Sequence, residues 1–318
     1  MRKKKIFSIV VPVYQNEANL NETVPKLLNL QEQLPNHSLE LVFVEDGSSD
    51  ASYNILYDYQ KRHKDNITLV KLTKNFGQIA AIQAGLQISS GDCVGVISAD
   101  LQDPHELFVD MVKKWEEGVK LVIAERKGRE ESIRQSFFSN IYWKMVNRYA
   151  VENYPAGGYD FFLIDRKIVE DVVNINEKNT HIMVLIFSLG YRYEIIEYTR
   201  KERKAGKSQW TLSKKIKLFI DTFVSFSYLP IRGISYTGLG ISLLSFCYAT
   251  IIGIGRFIFG NPIEGWTTIV ILIAIFGGLI LLTLGIIGEY IWRILDETRK
   301  RPSFVIDKII DKDYGKAR

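Results

Sequence analysis

The sequence predicts an α/β fold built on a doubly wound, mostly parallel sheet and followed by a membrane region. Apolar, strand-like runs alternate with helix-like segments from residue 6 to residue 124 of the 318, which is the pattern of a parallel sheet with right-handed crossovers. Polar and acidic residues follow several of the predicted strands. Near the C-terminus, two stretches lack charged residues, 234–255 with 22 residues and 266–288 with 23. Each is long enough to span a bilayer core of about 30 Å.

The alternation predicts the following elements in chain order. Strands are expected at 6–13, 39–45, 67–72, 93–98 and 119–124, and helices at 17–34, 49–63, 77–88 and 104–117. Ser48, Ser49 and Asp50 are candidate caps for the second helix, and Asp103 is interpreted as the cap of the fourth. Beyond residue 124 the sequence predicts a helix at 131–150, a strand within 156–164, helices at 166–173 and 181–189, and a strand at 191–198.

The C-terminal part predicts an interfacial helix and a two-helix transmembrane hairpin. Apolar residues recur at helical spacing from 211 to 228 with basic residues elsewhere on the wheel, which is typical of a helix in the membrane interface. A helix packed on the domain is the alternative. Lys and Arg cluster on the outer flanks of the hairpin, so the positive-inside rule places the large domain and both termini in the cytoplasm. The predicted division is a domain at 1–210, an amphipathic helix at 211–230, the hairpin at 231–292 and a basic tail at 293–318. We expect the part of this tail after Arg301-Pro302 to be peripheral.

Composition and motifs exclude several function classes. Cys93 and Cys247 fall in a predicted strand and a predicted span, so they form no disulfide framework. The four histidines show no metal-ligand spacing, which argues against zinc chemistry. The sequence has neither G-x-G-x-x-G nor G-x-x-x-x-G-K-[ST], which argues against a dehydrogenase or a P-loop ATPase. Between residues 199 and 217, eight Lys or Arg residues accompany one Glu, and because this cluster adjoins a membrane segment it favours lipid headgroups and phosphates over nucleic acid.

The end of the fourth strand carries the strongest chemical signal. Asp100 and Gln102 follow an apolar run directly, and ligands of open α/β sheets gather outside the carboxyl ends of strands. Oxygen ligands at this place predict a hard divalent cation that carries phosphates. The loops after the first three strands, at 12–17, 45–50 and 74–78, are also polar. Taken alone, 46–50 is only a turn and a helix cap, but four such loops on adjacent strands indicate one site.

These loops together resemble a known family over essentially the whole chain. The sequence is similar to the inverting family 2 glycosyltransferases, which have a GT-A (Rossmann-like) fold, and within them to the polyprenyl-phosphate branch, which includes dolichol-phosphate mannosyltransferases and bacterial bactoprenol glucosyltransferases. The motifs that carry the resemblance are Pro12-Val13-Tyr14-Gln15-Asn16-Glu17, Glu45-Asp46-Gly47-Ser48-Ser49-Asp50, Asn75-Phe76-Gly77-Gln78, Ala99-Asp100-Leu101-Gln102-Asp103-Pro104 and Arg203-Lys204-Ala205-Gly206-Lys207-Ser208.

The resemblance implies a nucleotide-sugar site and a metal. The residues expected to line the base and ribose are Pro12, Tyr14, Glu17 and Asp46. Asp100 and Gln102 would hold Mg²⁺ or Mn²⁺ against the diphosphate, while Arg203 and Ser208 would close a loop over the donor. The family commonly has Asp-x-Asp where this chain has Ser98-Ala99-Asp100, so a hydroxyl takes the first acidic position and we expect weaker metal binding.

An acceptor site is implied beyond the fifth strand. The positions expected to bind the acceptor phosphate are Arg126, Arg134, Ser136 and Ser139, with Arg129 equally well explained as part of a solvated loop. Asp160 falls where relatives have an acceptor-side loop, so it could act as a base or position the sugar. The alternative is a structural loop residue. The residues expected to act in catalysis are Asp100, Asp160 and Arg203.

The resemblance implies transfer of a hexose from a nucleotide sugar to a polyprenyl (undecaprenyl) phosphate, and the hairpin-bearing relatives suggest UDP-glucose as the donor. One alternative is a non-catalytic membrane module that binds nucleotide sugar or organises a lipid-linked assembly. Another is a polysaccharide synthase, although such proteins usually carry a Gln-x-x-Arg-Trp signature that is absent here. The expected partners are the donor, the lipid acceptor and the bilayer, with no nucleic acid, and the sequence leaves a homo-oligomer open.

Overall fold

The computed structural model describes residues 4–126, 144–148, 151–155, 159–175, 177, 181–199, 224, 226–227, 229–259 and 265–312. Within these residues, eight strands form one sheet in the order β7-β5-β6-β4-β1-β2-β3-β8. The strands are β1 (Lys5–Val13), β2 (His37–Glu45), β3 (Ile67–Leu72), β4 (Cys93–Val96), β5 (Leu121–Arg126), β6 (Phe162–Asp165), β7 (Tyr193–Tyr198) and β8 (Ile306–Ile310).

The sheet is mixed but mostly parallel, which confirms the predicted α/β core. β1 lies between β2 and β4 and is parallel to both, and β2 is parallel to β3. β6 runs antiparallel to both β4 and β5, so β4 and β5 point the same way. β7 is parallel to β5. The carboxyl ends of β1 to β5 and of β7 therefore share one edge of the sheet with the amino end of β6.

Helices cover both faces of this sheet. The helices of the domain are α1 (Glu17–Leu28), α2 (Leu30–Gln33), α3 (Ser52–Arg62), α4 (Gln78–Ile88), α5 (Leu107–Glu116), α6 (Arg166–Ile175) and α7 (Ile182–Ser188), and the two long helices α8 (Leu229–Phe259) and α9 (Trp266–Thr298) follow them in the chain. Alternate residues of β1 enter different cores because strand side chains alternate between faces. Phe7 and Ile9 pack with α1 and α5, whereas Val10 packs with α4 and α6.

Two of the predicted helices differ from the observed ones, since one is divided in two and the other begins later in the chain. The helix predicted at 17–34 is divided at Asn29 into α1 and α2. α5 begins at Leu107 rather than at residue 104, because the preceding residues form a tighter turn in which Leu107 N donates to Pro104 O at 3.1 Å. Its N-cap position is Glu106, so the interpretation of Asp103 as the helix cap is wrong.

The C-terminal tail is also different from the expectation, because it contains a strand. β8 pairs antiparallel with β3, and Thr73 N donates to Val305 O at 3.0 Å beside the ladder. Ile310 is buried, and Lys71 lies 3.4 Å from Asp307. The tail is therefore an edge of the sheet rather than peripheral, and the chain returns to the domain after its two long helices.

The C-terminal helices support association with a membrane. Among the described residues, one segment, Ile275–Thr298 of α9, is long and apolar enough to cross a bilayer, and its most apolar window is not buried against the protein. α8 contacts α9. Apart from residues 224, 226 and 227, the helix predicted at 211–228 lies outside the described residues.

Candidate active site

Four polar loops meet where the parallel strands end. The strand order β4-β1-β2-β3 places the loops after these strands side by side at one edge of the sheet. This is the edge at which open α/β sheets bind ligands. The structure therefore brings together the four loops that the sequence singled out.

The loops after β1 and β2 are joined by their side chains. Glu17 accepts from Ala51 N at 2.8 Å, and Asp50 accepts from Glu17 N at 3.2 Å. Further contacts join Gln15 N to Ser48 Oγ at 3.0 Å, Gln15 Nε2 to Ser49 Oγ at 3.3 Å and Asn16 N to Ser52 Oγ at 2.9 Å. Ser48 and Ser49, predicted as helix caps, thus bind the neighbouring loop. Glu17, predicted to line the donor site, has a carboxylate that joins these loops.

Asp46 joins the loops after β2 and β3. Its side chain is buried, and its two oxygens accept from Phe76 N at 2.7 Å and from Gly77 N at 2.8 Å. Burial raises the pKa of Asp46, although these two hydrogen bonds lower it. Asp46 therefore holds the loop after β3 against the end of β2, at the edge where a base or ribose was expected.

Gly47 is required at the same junction for two reasons. Its φ is +67°, which L side chains rarely adopt. A Cβ there would lie 2.6 Å from both Asn75 N and the carbonyl carbon of Lys74. The backbone of the loop after β2 thus packs directly on that of the loop after β3.

The other two predicted base and ribose residues lie at the end of β1. Pro12 is partly buried and pairs in register with Val44 of β2. Tyr14 is partly buried, and its backbone N donates to Asn16 Oδ1 at 3.0 Å. Both therefore stand at the edge of the sheet that carries Asp46.

The loop after β4 orients the Asp100 carboxylate. Ser98 Oγ donates to Asp100 Oδ1 at 2.9 Å, and Gln102 N lies 3.4 Å from the same oxygen. Leu101 between them has a φ of +45°, and Thr23 of α1 donates to Ala99 O at 2.7 Å. Ser98, at the position where the resemblance leads us to expect an acid, therefore holds the Asp100 carboxylate in place.

The donor set at this loop suits a hard cation that also binds phosphates. In the part of the chain that the structure describes, no group of three or more His, Cys, Asp or Glu side chains could hold a metal ion. A cation at Asp100 and Gln102 would thus take most of its ligands from substrate phosphates and water, which is how Mg²⁺ is commonly held.

A second polar cluster lies at the ends of β5 and β7. Arg126 Nε donates to Tyr198 OH at 3.4 Å and lies 4.0 Å from Asp103 Oδ1, while Arg126 Nη2 lies 4.0 Å from Asp160 Oδ2. Tyr198 donates in turn to Asp103 Oδ1. Burial, followed by the charge of Asp103, raises the pKa of Tyr198. The cluster joins the predicted Arg126 and Asp160 to two residues that the sequence did not assign to the site.

Asp103 and Tyr198 could have been found only from the sheet topology. Tyr198 is the last residue of an ordinary strand, and it joins the site because β7 pairs with β5 in the register Arg126↔Tyr198. Asp103 precedes a proline, which is the usual pattern of a helix cap. The residues next to Asp103 and Tyr198 in the sequence give no indication that these two side chains are in contact.

His181 lies beside this cluster. Burial lowers its pKa to about 4, against an opposing effect from the charge of Asp160. Its Nδ1 is buried without a hydrogen-bond partner among the described atoms. His181 is therefore neutral at physiological pH.

Several predicted site residues lie outside the described residues: Arg129, Arg134, Ser136, Ser139, Arg203 and Ser208. Their assignments rest on the sequence resemblance.

Comparison with known proteins shows the family. The family described as "Glycosyl transferase family 2" matches residues 8–173. The chain is 35% identical over 310 residues to "Uncharacterized glycosyltransferase YkcC" of Bacillus subtilis (strain 168), covering 97% of this chain and 94% of that protein. It is 33% identical over 302 residues to "SfII prophage-derived bactoprenol glucosyl transferase" of Shigella flexneri, covering 95% and 97%.

A solved structure has the same fold. The crystal structure of glucosyl-3-phosphoglycerate synthase from Mycobacterium tuberculosis superposes with a TM-score of 0.50 at 15% identity, covering 69% of this chain and 79% of that chain. At that identity the likeness shows a GT-A-like fold alone. From the family match and the near full-length relatives, the chain belongs to glycosyl transferase family 2.

Proposed function

We propose that this glycosyltransferase moves a hexose from a nucleotide sugar, with UDP-glucose as the first donor to test, onto a polyprenyl (undecaprenyl) phosphate with inversion at the anomeric carbon. The observation that carries the proposal is the extent of the similarity to a protein named bactoprenol glucosyl transferase, which covers 95% of this chain. The alignment leaves out only about 5% of the chain, so it includes most of the strand-end loops and most of the long C-terminal helices.

The donor would lie across the edge formed by β4, β1, β2 and β3. Pro12 and Tyr14 would line the base and ribose, with Glu17 and Asp46 keeping the loops closed around them. Both carboxylates already accept backbone N–H groups, which supports a shaping role for them. Rigid loops matter because misplacing the sugar by about 1 Å can cost roughly 100-fold in rate.

Asp100 and Gln102 would hold Mg²⁺ or Mn²⁺ beside the diphosphate, with Ser98 orienting Asp100. When bound, such an ion supplies positive charge to the leaving diphosphate. Arg203 would add a second positive charge, and Ser208 of the same predicted loop would contact the donor. These roles agree with the resemblance and with the oxygen donors that the loop after β4 presents.

The acceptor would approach from the side of β5. A polyprenyl phosphate is already anionic near neutral pH, so it needs positioning and charge compensation more than a general base. Arg126 stands at this end of the sheet, and we assign Arg134, Ser136 and Ser139 to the same phosphate. Asp160 lies 4.0 Å from Arg126, where its carboxylate could position the sugar or accept a proton.

The C-terminal region would hold this site at the cytoplasmic face of the membrane. We propose that α8 and α9 form a two-span hairpin preceded by an interfacial helix at 211–228, with the domain and both termini in the cytoplasm. The basic residues on the outer flanks support this orientation. Such an anchor would place the carboxyl edge of the sheet near lipid headgroups, where the acceptor phosphate lies.

A transfer assay tests the proposal. Purified protein is incubated with Mg²⁺, undecaprenyl phosphate and a panel of radiolabelled nucleotide sugars, and the matched control replaces the lipid with undecaprenol, which lacks the phosphate. We expect label to enter the organic phase with the phosphate and not with the alcohol. Donor binding without transfer across the panel would instead support a non-catalytic module, and label in an insoluble polymer would support a polysaccharide synthase.

A further inference from the structure

Arg126 has two sides with different surroundings. Its Nε side faces inward, where it meets Tyr198 OH at 3.4 Å and Asp103 Oδ1 at 4.0 Å. The Asp103 side chain is only 2% exposed. Its Nη2 side faces Asp160, whose side chain is 52% exposed, at 4.0 Å. That distance is too long for a hydrogen bond, so the described contacts fix the inner side of the guanidinium more firmly than the outer side.

The inner contacts form a chain of two hydrogen bonds that runs from Arg126 through Tyr198 to Asp103. Tyr198 donates its hydroxyl proton to Asp103 and accepts from Arg126 Nε. A guanidinium only donates and an ionised carboxylate only accepts, so the Tyr198 hydroxyl accepts from Arg126 and donates to Asp103. The Tyr198 ring packs edge-on against Phe161, with ring centroids 6.1 Å apart. This packing fixes the position of the Tyr198 hydroxyl, which accepts the hydrogen bond from Arg126.

Stability alone is a poor explanation for this arrangement. A buried carboxylate pays a large desolvation cost, and apolar residues of similar volume often stabilise a core as well as a buried ion pair does. An arginine whose Nε is held by a described contact and whose Nη2 lies 4.0 Å from the exposed Asp160 carboxylate is, by contrast, suited to bind a phosphate through its Nη donors.

We propose that Asp103 and Tyr198 are positioning residues that hold Arg126 so that its outer nitrogens face the acceptor phosphate. The inference rests on the proposed function, because it assigns two further residues to the acceptor side of the same site. Neither residue contacts the acceptor, and both act through Arg126. Their loss should therefore weaken acceptor use and leave donor use unchanged.

Tyr198→Phe tests this directly, because it removes the hydroxyl and keeps the ring. We expect the KM for undecaprenyl phosphate to rise about tenfold or more, as for a lost hydrogen bond to a charged group, with the KM for the nucleotide sugar unchanged. The matched control is Tyr191→Phe, which removes another hydroxyl that donates to a carboxylate, that of Asp171, before the opposite end of β7. The control should alter neither KM.

A double-mutant cycle with Arg126→Lys separates positioning from general support of the fold. Lysine keeps the positive charge but has no Nε donor, so Tyr198→Phe should raise the lipid KM less than twofold in that background, as expected for coupled residues. An equal fold increase in both backgrounds would overturn the inference. Asp103→Asn, a second variant of the same shape, should also raise the lipid KM selectively.

Failure of the inference and failure of the proposed function give different results. If wild type moves sugar to the lipid but Tyr198→Phe and Asp103→Asn keep a wild-type lipid KM, the positioning inference alone is wrong. An equal rise in both KM values would also overturn it. If wild type transfers nothing to any polyprenyl phosphate, both proposals are refuted. Melting temperatures of all variants identify any change that comes from unfolding.

Discussion

Replacing Asp46 with asparagine tests whether one buried carboxylate holds the donor-side loops together. The two side chains have the same shape, but the amide has one acceptor oxygen where the carboxylate has two. In the wild type, those two oxygens accept from Phe76 N and Gly77 N at 2.7 and 2.8 Å. In Asp46→Asn, one of these N–H groups would therefore face another donor.

The size of the effect follows from these contacts. A hydrogen bond to a charged group contributes about 1.5–3 kcal/mol, and a buried N–H without a partner adds to the loss. Burial disfavours the charged Asp46 carboxylate and raises its pKa. A neutral amide at this position avoids that desolvation cost, which offsets part of the loss. We therefore expect a net loss of about 1–3 kcal/mol in unfolding free energy, which lowers the melting temperature by roughly 2–10 °C.

The assay combines thermal unfolding with donor kinetics. We expect Asp46→Asn to lower the melting temperature and to raise the KM for the nucleotide sugar about tenfold, because the loops that line the donor loosen. Asp58→Asn on α3 is the matched control, since Asp58 is exposed and follows the same loop. A raised KM with an unchanged melting temperature would mean that Asp46 contacts the donor directly, and wild-type values of both would refute the reasoning.

Three further predictions concern other parts of the molecule. The pKa of His181 is lowered from 6.5 to about 4, so the native state disfavours protonation of this side chain. The free energy of unfolding should therefore fall by on the order of 2–3 kcal/mol as the pH drops from about 6.5 to about 4. Urea unfolding of His181→Gln should show a weaker dependence of this free energy on pH, and the same dependence as in the wild type would contradict the prediction. Ile310→Ala in β8 should cost about 2–4 kcal/mol in unfolding free energy, whereas exposed Lys308→Ala should cost little, and equal losses would argue against a structural role for this strand. Arg134→Ala should raise the KM for the lipid far more than that for the donor in steady-state kinetics, and an equal rise would contradict its acceptor role.

The first half of the fold could be predicted because its strands are buried on both faces. Such strands are continuous apolar runs, and the strand predicted at 67–72 has the bounds of β3. The proximity of the four loops could be predicted from the parallel arrangement of the strands alone, because parallel neighbours have their carboxyl ends at the same edge of the sheet. The side chains that join the loops could not be predicted, because a Ser or Asp after a strand serves equally well as a helix cap or as a bridge to another loop.

The second half depends on pairing between distant segments. A strand was predicted within 156–164, but its antiparallel place between β4 and β5 depends on long-range contacts. β8 was missed because Asp307 and Lys308 interrupt its apolar residues, as is common in edge strands. The contact between Arg126 and Tyr198 could not be predicted because it depends on long-range pairing. The register of β5 with β7 places Tyr198 beside Arg126.

The measurement that tests the central claim most directly is sugar transfer by Asp100→Ala beside wild type and Asp110→Ala. Asp110 is an exposed residue of α5 that pairs with Lys113 at 3.0 Å, so its removal controls for the loss of a carboxylate. We predict that label from the nucleotide sugar enters the polyprenyl phosphate fraction with wild type and with Asp110→Ala, and falls at least 100-fold with a folded Asp100→Ala, in line with the loss of electrostatic stabilisation of a leaving group. Wild-type transfer by Asp100→Ala would contradict the placement of the chemistry at the end of β4.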